Sequence, residues 1–91
     1  MLMRITWGKV RPGFWDEFEE TFRRAAKQEM PGLIKRWMVR DTRDTNSMFI
    51  VTLWKDVESM DDPCTMNFIN ALGPLFLGEY SASVCEVVYE S

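Results

Sequence analysis

The spacing of apolar and polar residues along the chain changes several times, and each change marks an element. From Leu2 to Val10 the residues are mostly β-branched, aromatic or long and apolar, and the run stops at the turn-forming Arg11-Pro12-Gly13. This predicts a first strand. From Phe14 the period lengthens: Phe14, Phe18, Phe22 and Ala25 recur every three or four residues, opposite Asp16, Glu17, Glu19, Glu20, Arg23, Arg24 and Lys27. The result is an amphipathic helix with acids early and bases late, as the helix dipole favours, ended by Met30-Pro31-Gly32. Leu33 to Asp41 reads as a second strand and Met48 to Trp54 as a third, joined through the polar, turn-prone stretch Asp41 to Ser47 as a hairpin with a slightly long loop. Lys55 to Met60 enters a short helical piece. Asp62-Pro63 then offers an N-cap and a proline at the first position of a helix running through Met66, Phe68, Ile69 and Leu72. Gly73-Pro74 stops or bends that helix, Leu75 to Gly78 forms an apolar connector, and Ser81 to Tyr89 makes a last strand.

The order strand, helix, strand, strand, helix, strand predicts an α+β fold of the ferredoxin-like βαββαβ type. It has one four-stranded antiparallel sheet, with the first and third strands in the centre and both helices on one face. The third strand is apolar on both parities, as a strand covered on both faces must be. Met48, Ile50, Thr52 and Trp54 share one side, and Phe49, Val51 and Leu53 share the other. The helices cover one face, and nothing else in the chain is available for the second. A second copy packed face to face is the expected cover, because two-fold pairing is the commonest solution.

Composition narrows the function classes. A chain of 91 residues reads as a single domain over residues 1–91 and buries only about 60–65% of its unfolded surface, so pairing also helps stability. With 11 basic and 14 acidic residues interspersed, for a net charge of −3, nothing attracts a nucleic-acid backbone. No run approaches the roughly 18–20 apolar residues of a membrane span. Cys64 and Cys85 form no CxxC pair and read as small buried hydrophobes in a reduced, cytoplasmic setting.

The chain has no histidine, which excludes Ser-His-Asp and Cys-His nucleophile pairs and histidine-ligated zinc, iron or haem. No Gly-rich phosphate loop appears. An enzyme of this composition would work with carboxylate, Tyr, Thr, Asn, Arg, Lys or Cys groups, or with the substrate's own reactivity. Most carboxylates belong to a solvated face. Glu86, inside the last strand, is paired, edge-exposed or functional. Aromatic residues make up 13% of the chain. Phe14, Phe18 and Phe22 read as core packing, whereas Trp54, ending a central strand at the sheet's rim, is placed either to pack or to line a pocket between sheet and helices.

The segment Phe49 to Met60, a strand ending in Trp54 and then a short helix, is followed by Ala71-Leu72-Gly73-Pro74-Leu75-Phe76. Together with a first strand closing on Val10-Arg11-Pro12-Gly13 and an acidic amphipathic helix, it resembles the antibiotic biosynthesis monooxygenase (ABM) domain family. The resemblance implies a dimeric α+β barrel with a pocket between sheet and helices in each protomer. It also implies a family of cofactor-independent oxygenases of polycyclic aromatics and quinols, haem-degrading enzymes and other proteins. Trp54 matches the tryptophan that ends the family's third strand, and Thr6 falls where haem-degrading relatives carry a ligand-holding asparagine. Pro63 and Cys64 stand where many members have a histidine, which argues against haem degradation.

The leading expectation is an ABM-like monooxygenase acting on a small hydrophobic phenol, quinol or anthrone without metal, flavin or other cofactor. Trp54, Thr6, Phe22 and Phe68 are candidate pocket residues, Asn67 a candidate donor to a phenolate, and Arg40 a candidate charge if its strand register turns it inward. No general base is assigned. The alternative is a non-catalytic dimeric ligand-binding or accessory module on the same fold, and a third reading is an isomerase or cyclase with Glu86 as base.

Overall fold

The computed structural model describes residues 1–61 and 63–91, with side chains described for all of these except 63–66 and 68. Strand β1 (Leu2–Lys9) leads into helix α1 (Trp15–Ala25). Then come strands β2 (Leu33–Arg40) and β3 (Ser47–Trp54), helices α2 (Val57–Met60) and α3 (Pro63–Leu72), and strand β4 (Ser81–Glu86). All strand pairings are antiparallel in the order β2-β3-β1-β4, so β1 and β3 occupy the centre as the hydrophobic pattern requires. The expected N-cap Asp62 and the side chains of Cys64 and Phe68 lie outside the described residues.

Several boundaries differ from the pattern-based expectation by a residue or more, and two of them bear on the packing. The last strand stops at Glu86 rather than Tyr89, because Glu86 pairs with Leu2 at the start of β1 and the ladder has no further partner. One more bond, from the Val87 N–H to the Met1 carbonyl, closes it. Val10 leaves the β1–β3 ladder and bridges to Phe76, so the apolar connector after α3 lies against the end of β1. Gly8 accommodates this approach: a Cβ there would sit 2.6 Å from the Phe76 ring.

The registers sort the sheet into two faces. Leu2, Arg4, Thr6 and Gly8 of β1 oppose Trp54, Thr52, Ile50 and Met48 of β3, and these turn toward the helices. The core collects there. Phe18 and Phe22 from α1, Met60 from α2 and Leu72 from α3 pack with Val10, Met30, Met48, Ile50, Trp54 and Phe76. On the other face stand Met3, Ile5 and Trp7 of β1, Phe49, Val51 and Leu53 of β3, and Trp37 and Val39 of β2. The β3 members of this set are half-buried, while Trp7, Trp37 and Val39 are exposed by 39%, 37% and 44%. No described element of the chain crosses this face.

The β2–β3 loop is organised by two aspartates. Asp41 Oδ1 accepts from the N–H groups of Arg43 and Asp44 at 2.7 and 3.0 Å. Asp44 accepts from the Asn46 N–H and the Ser47 hydroxyl and pairs with Lys9 at 3.2 Å, which ties the loop to the end of β1. Asp56 caps α2 by accepting from the Ser59 N–H at 2.8 Å. Hydrogen bonds from backbone N–H groups hold the Asp41 carboxyl below its ordinary value, Lys9 and Ser47 lower that of Asp44, and Ser59 lowers that of Asp56.

A carboxylate with a lowered folded-state pKa contributes stability that is present above its unfolded value, about 3.9, and lost as pH falls through the folded value. Urea denaturation between pH 5 and pH 2 is therefore expected to show a falling midpoint for the wild type and a shallower fall for Asp44→Asn. Equal slopes would mean that the Asp44 carboxylate is no better stabilised in the fold than in the unfolded chain.

Candidate functional site

Between the helix-facing side of β1–β3 and the helices lies a pocket lined by Arg4 and Thr6 from β1, and Ile50, Thr52 and Trp54 from β3. Met30, Ile69, Leu72 and Phe76 complete its wall. The strand residues reach it through the two-residue period: Arg4 opposes Thr52 and Thr6 opposes Ile50 across the ladder. The others arrive from distant parts of the chain, Met30 after α1, Ile69 and Leu72 from α3, and Phe76 from the connector. The interior free volume is about 20 Å³, room for roughly one water. With its mouth, the space free of protein atoms is about 410 Å³.

Among the described residues the wall is apolar apart from four that carry hydrogen-bonding side chains. The Trp54 indole N–H donates to Thr52 Oγ1 at 2.8 Å, and the Thr52 hydroxyl lies 3.5 Å from the Arg4 carbonyl oxygen that it faces as donor. The indole is 1% exposed, so its N–H needs this partner, and the bond fixes the plane of the ring at the pocket wall. Thr6 brings a second buried hydroxyl. Arg4 is half-buried, and its Nε is fully buried with no hydrogen-bond partner among the described residues. The next inward-facing cation, Arg36, opposes Thr52 from β2 and is used structurally: it donates to the Ala26 carbonyl at 2.7 Å beyond the end of α1, and burial lowers its pKa.

Of the residues singled out from sequence, Trp54 and Thr6 line this pocket. Phe22 sits in the neighbouring core and does not line it. The Phe68 side chain lies outside the described residues, and Asn67 is exposed on α3. The register turns Arg40 to the helix face opposite Met48, one rank beyond Ile50, where its guanidinium stacks 4.1 Å from the Trp15 ring centre and donates to the Thr45 carbonyl. Arg40 is thereby committed outside the pocket. Glu86 is exposed and opposes Leu2 at the sheet edge. The pattern along the chain does not single out Arg4 or Thr52 as site residues, although it carries one signal: a lone cation between Met3 and Ile5, in step with Thr6. Among the described residues no group of three or more His, Cys, Asp or Glu is placed to hold a metal, and no helix is long and apolar enough to cross a membrane.

Comparison with known proteins places this architecture in context. The family model described as antibiotic biosynthesis monooxygenase matches residues 1–62. Among solved structures, SnoaB, a cofactor-independent oxygenase from Streptomyces nogalater solved as an asparagine-to-alanine variant, superposes with a TM-score of 0.80 at 19% identity, covering 98% of this chain and 94% of that one. Rv0793 from Mycobacterium tuberculosis gives 0.81 at 12% identity, covering 99% and 97%. A conserved protein from Methanosarcina mazei gives 0.78 at 14% identity, covering 93% and 91%. At such identities the likeness is one of fold. A comparison with curated proteins found no match.

The Trp54–Thr52 bond is open to a direct test. Thr52→Val keeps the shape but leaves the buried indole N–H without its acceptor, for an expected loss of about 1–3 kcal/mol in denaturant unfolding. Thr52→Ser, which retains the hydroxyl, should lose much less than Thr52→Val. Equal losses for the two variants would mean that the bond does not hold the ring.

Proposed function

The chain belongs to the antibiotic biosynthesis monooxygenase family, and from that premise we propose that it is a homodimeric oxygenase whose pocket takes a small hydrophobic aromatic substrate of the phenol, quinol or anthrone class. The observation that carries the reading is the pocket itself. A wall of Ile50, Leu72, Met30 and Phe76, with the Trp54 ring fixed within it, suits an aromatic body, and two donor side chains, Arg4 and Thr6, converge on it.

The reaction needs no group that the wall lacks. An ionised, electron-rich ring gives up four electrons to dioxygen in all, two as its carbon forms a C–O bond to a peroxide and two more as loss of a second substrate proton breaks the O–O bond. One oxygen atom ends on the ring carbon as a carbonyl, and the other leaves as water with the two protons lost from the substrate. Among the described residues no carboxylate or thiol lines the pocket, and the chain has no histidine, so ionisation draws on the substrate's own acidity and on donors that stabilise the anion. The apolar wall excludes bulk water from the reactive ring.

Dimerisation follows from the open sheet face. Trp7, Trp37 and Val39, with the half-buried Phe49, Val51 and Leu53 between them, form a contiguous apolar surface of the kind that marks an interface. The accessible surface of 6063 Å² also exceeds the roughly 5,500 Å² usual for a monomer of 10.7 kDa. Pairing two such faces about a two-fold axis covers both at once.

That no carboxylate or thiol among the described residues lines the pocket supports a second reading, a binding module without turnover; with an interior volume of about 20 Å³, a ring enters either kind of site only if the wall moves apart. Oxygen-electrode assays with a panel of quinols and anthrones are expected to show substrate-dependent uptake. Saturable binding without uptake would favour the binding module, and neither would end both readings. In sedimentation velocity the wild type is expected as a dimer and Val51→Glu as a folded monomer; a monomeric wild type at micromolar concentration overturns the interface.

A further inference from the structure

We propose that the pocket selects an aromatic acid, a ring bearing one ionised oxygen group, and that Arg4 is the residue that recognises the charge; this rests on the reading of the pocket as a site for a hydrophobic aromatic. Among the described residues, four side chains bring polar atoms to the wall, and two of them satisfy each other. The Trp54 N–H is spent on Thr52 Oγ1, whose own proton faces the Arg4 carbonyl oxygen. What remains for a ligand is the Arg4 guanidinium and the Thr6 hydroxyl. They lie two residues apart on one face of one strand, about 7 Å along it.

A guanidinium is a group of donors with no acceptor, and burying one of its nitrogens without a partner is costly. Arg4 Nε is in that position, and Arg4 forms no ion pair with any described residue. Glu86, on the neighbouring strand, is exposed and opposes Leu2 instead. Arg36, on the other side of Thr52, has the Ala26 carbonyl as a partner. Among the described residues, then, Arg4 has no counter-charge at the edge of the apolar pocket, and its Nε is buried there without a partner. A neutral ring leaves that cost in place, whereas a carboxylate or ionised phenol removes it with charge-assisted hydrogen bonds. Val84, which opposes Arg4 on β4, is 57% exposed, so the sheet beside Arg4 is open to solvent on that side.

Isothermal titration with 1-naphthoate, the neutral 1-naphthamide and 2,4-dinitrophenol, ionised at pH 7, tests the proposal. Naphthoate is expected to bind at least tenfold more tightly than the amide in the wild type. That ratio should fall to about one in Arg4→Met and survive in part in Arg4→Lys, with circular dichroism confirming that both variants are folded. Tight binding of dinitrophenol rather than naphthoate would assign the anion as a phenolate, also in support. Equal wild-type affinity for naphthoate and its amide overturns charge selection while leaving the aromatic pocket standing. Binding of none of the three probes overturns this proposal together with the pocket reading, and an unchanged ratio in Arg4→Met overturns the role of Arg4.

Discussion

Strand β3 has to be covered on both faces, and the chain supplies one cover. Its inward residues, Met48, Ile50, Thr52 and Trp54, are buried beneath the helices, whereas Phe49, Val51 and Leu53 alternate with them and keep part of their surface in water. The two-residue period of a strand makes this unavoidable: an apolar residue at every position serves both faces, and a slip of one register position would exchange them. The central place of β3, the pairing with β1 that brings Arg4 and Thr6 alongside it, and the unfinished second face all follow from that one constraint.

The same strand ends in the side chain that organises the pocket. Burying an indole requires an acceptor for its N–H, and the acceptor stands two residues earlier on the same face, so Thr52 and Trp54 form a local unit that needs no other part of the chain. That unit adds a hydrogen bond from the Thr52 hydroxyl toward the backbone of β1 at Arg4. Ring plane, strand pairing and the position of Arg4 on the pocket wall are therefore coupled. The contrast among the three arginines on this face shows how burial separates roles. Arg40 stacks on Trp15, Arg36 bonds the Ala26 carbonyl, and Arg4 is left with a buried nitrogen and no described partner.

Much of this was legible in the chain. Periodicities of two and of three to four residues are set by backbone geometry, so they identify strands, helices and their faces without knowledge of contacts. The order of elements then led to the ferredoxin-like sheet, and the doubly apolar Met48–Trp54 to its central position. Trp54 and Thr6 could be placed near a pocket because each sits on a known face of a central strand. Arg40 and Asn67 could not be judged in the same way. The register does bring Arg40 to the helix face, but its neighbour there, Trp15, comes from α1, and a pattern along the chain says nothing about which ring it meets across space. The end of β4 was likewise out of reach, since Glu86 is its last residue only because β1 begins at Leu2.

What the sequence by itself determined was the list of elements, the two faces of each and the chemistry that the absence of histidine rules out. Each of these depends on residue identity and spacing alone. The tertiary structure decided which distant residues close the pocket, Met30, Ile69, Leu72 and Phe76 among them, and which of its polar groups are already satisfied. Those outcomes depend on the packing of helices against the sheet and on hydrogen-bond geometry at the scale of tenths of an ångström. Arg4 carries both halves of that division. Its face was implied by its neighbours in β1, but that its buried Nε has no partner among the described residues appears only when the nearby acceptors have been assigned their donors.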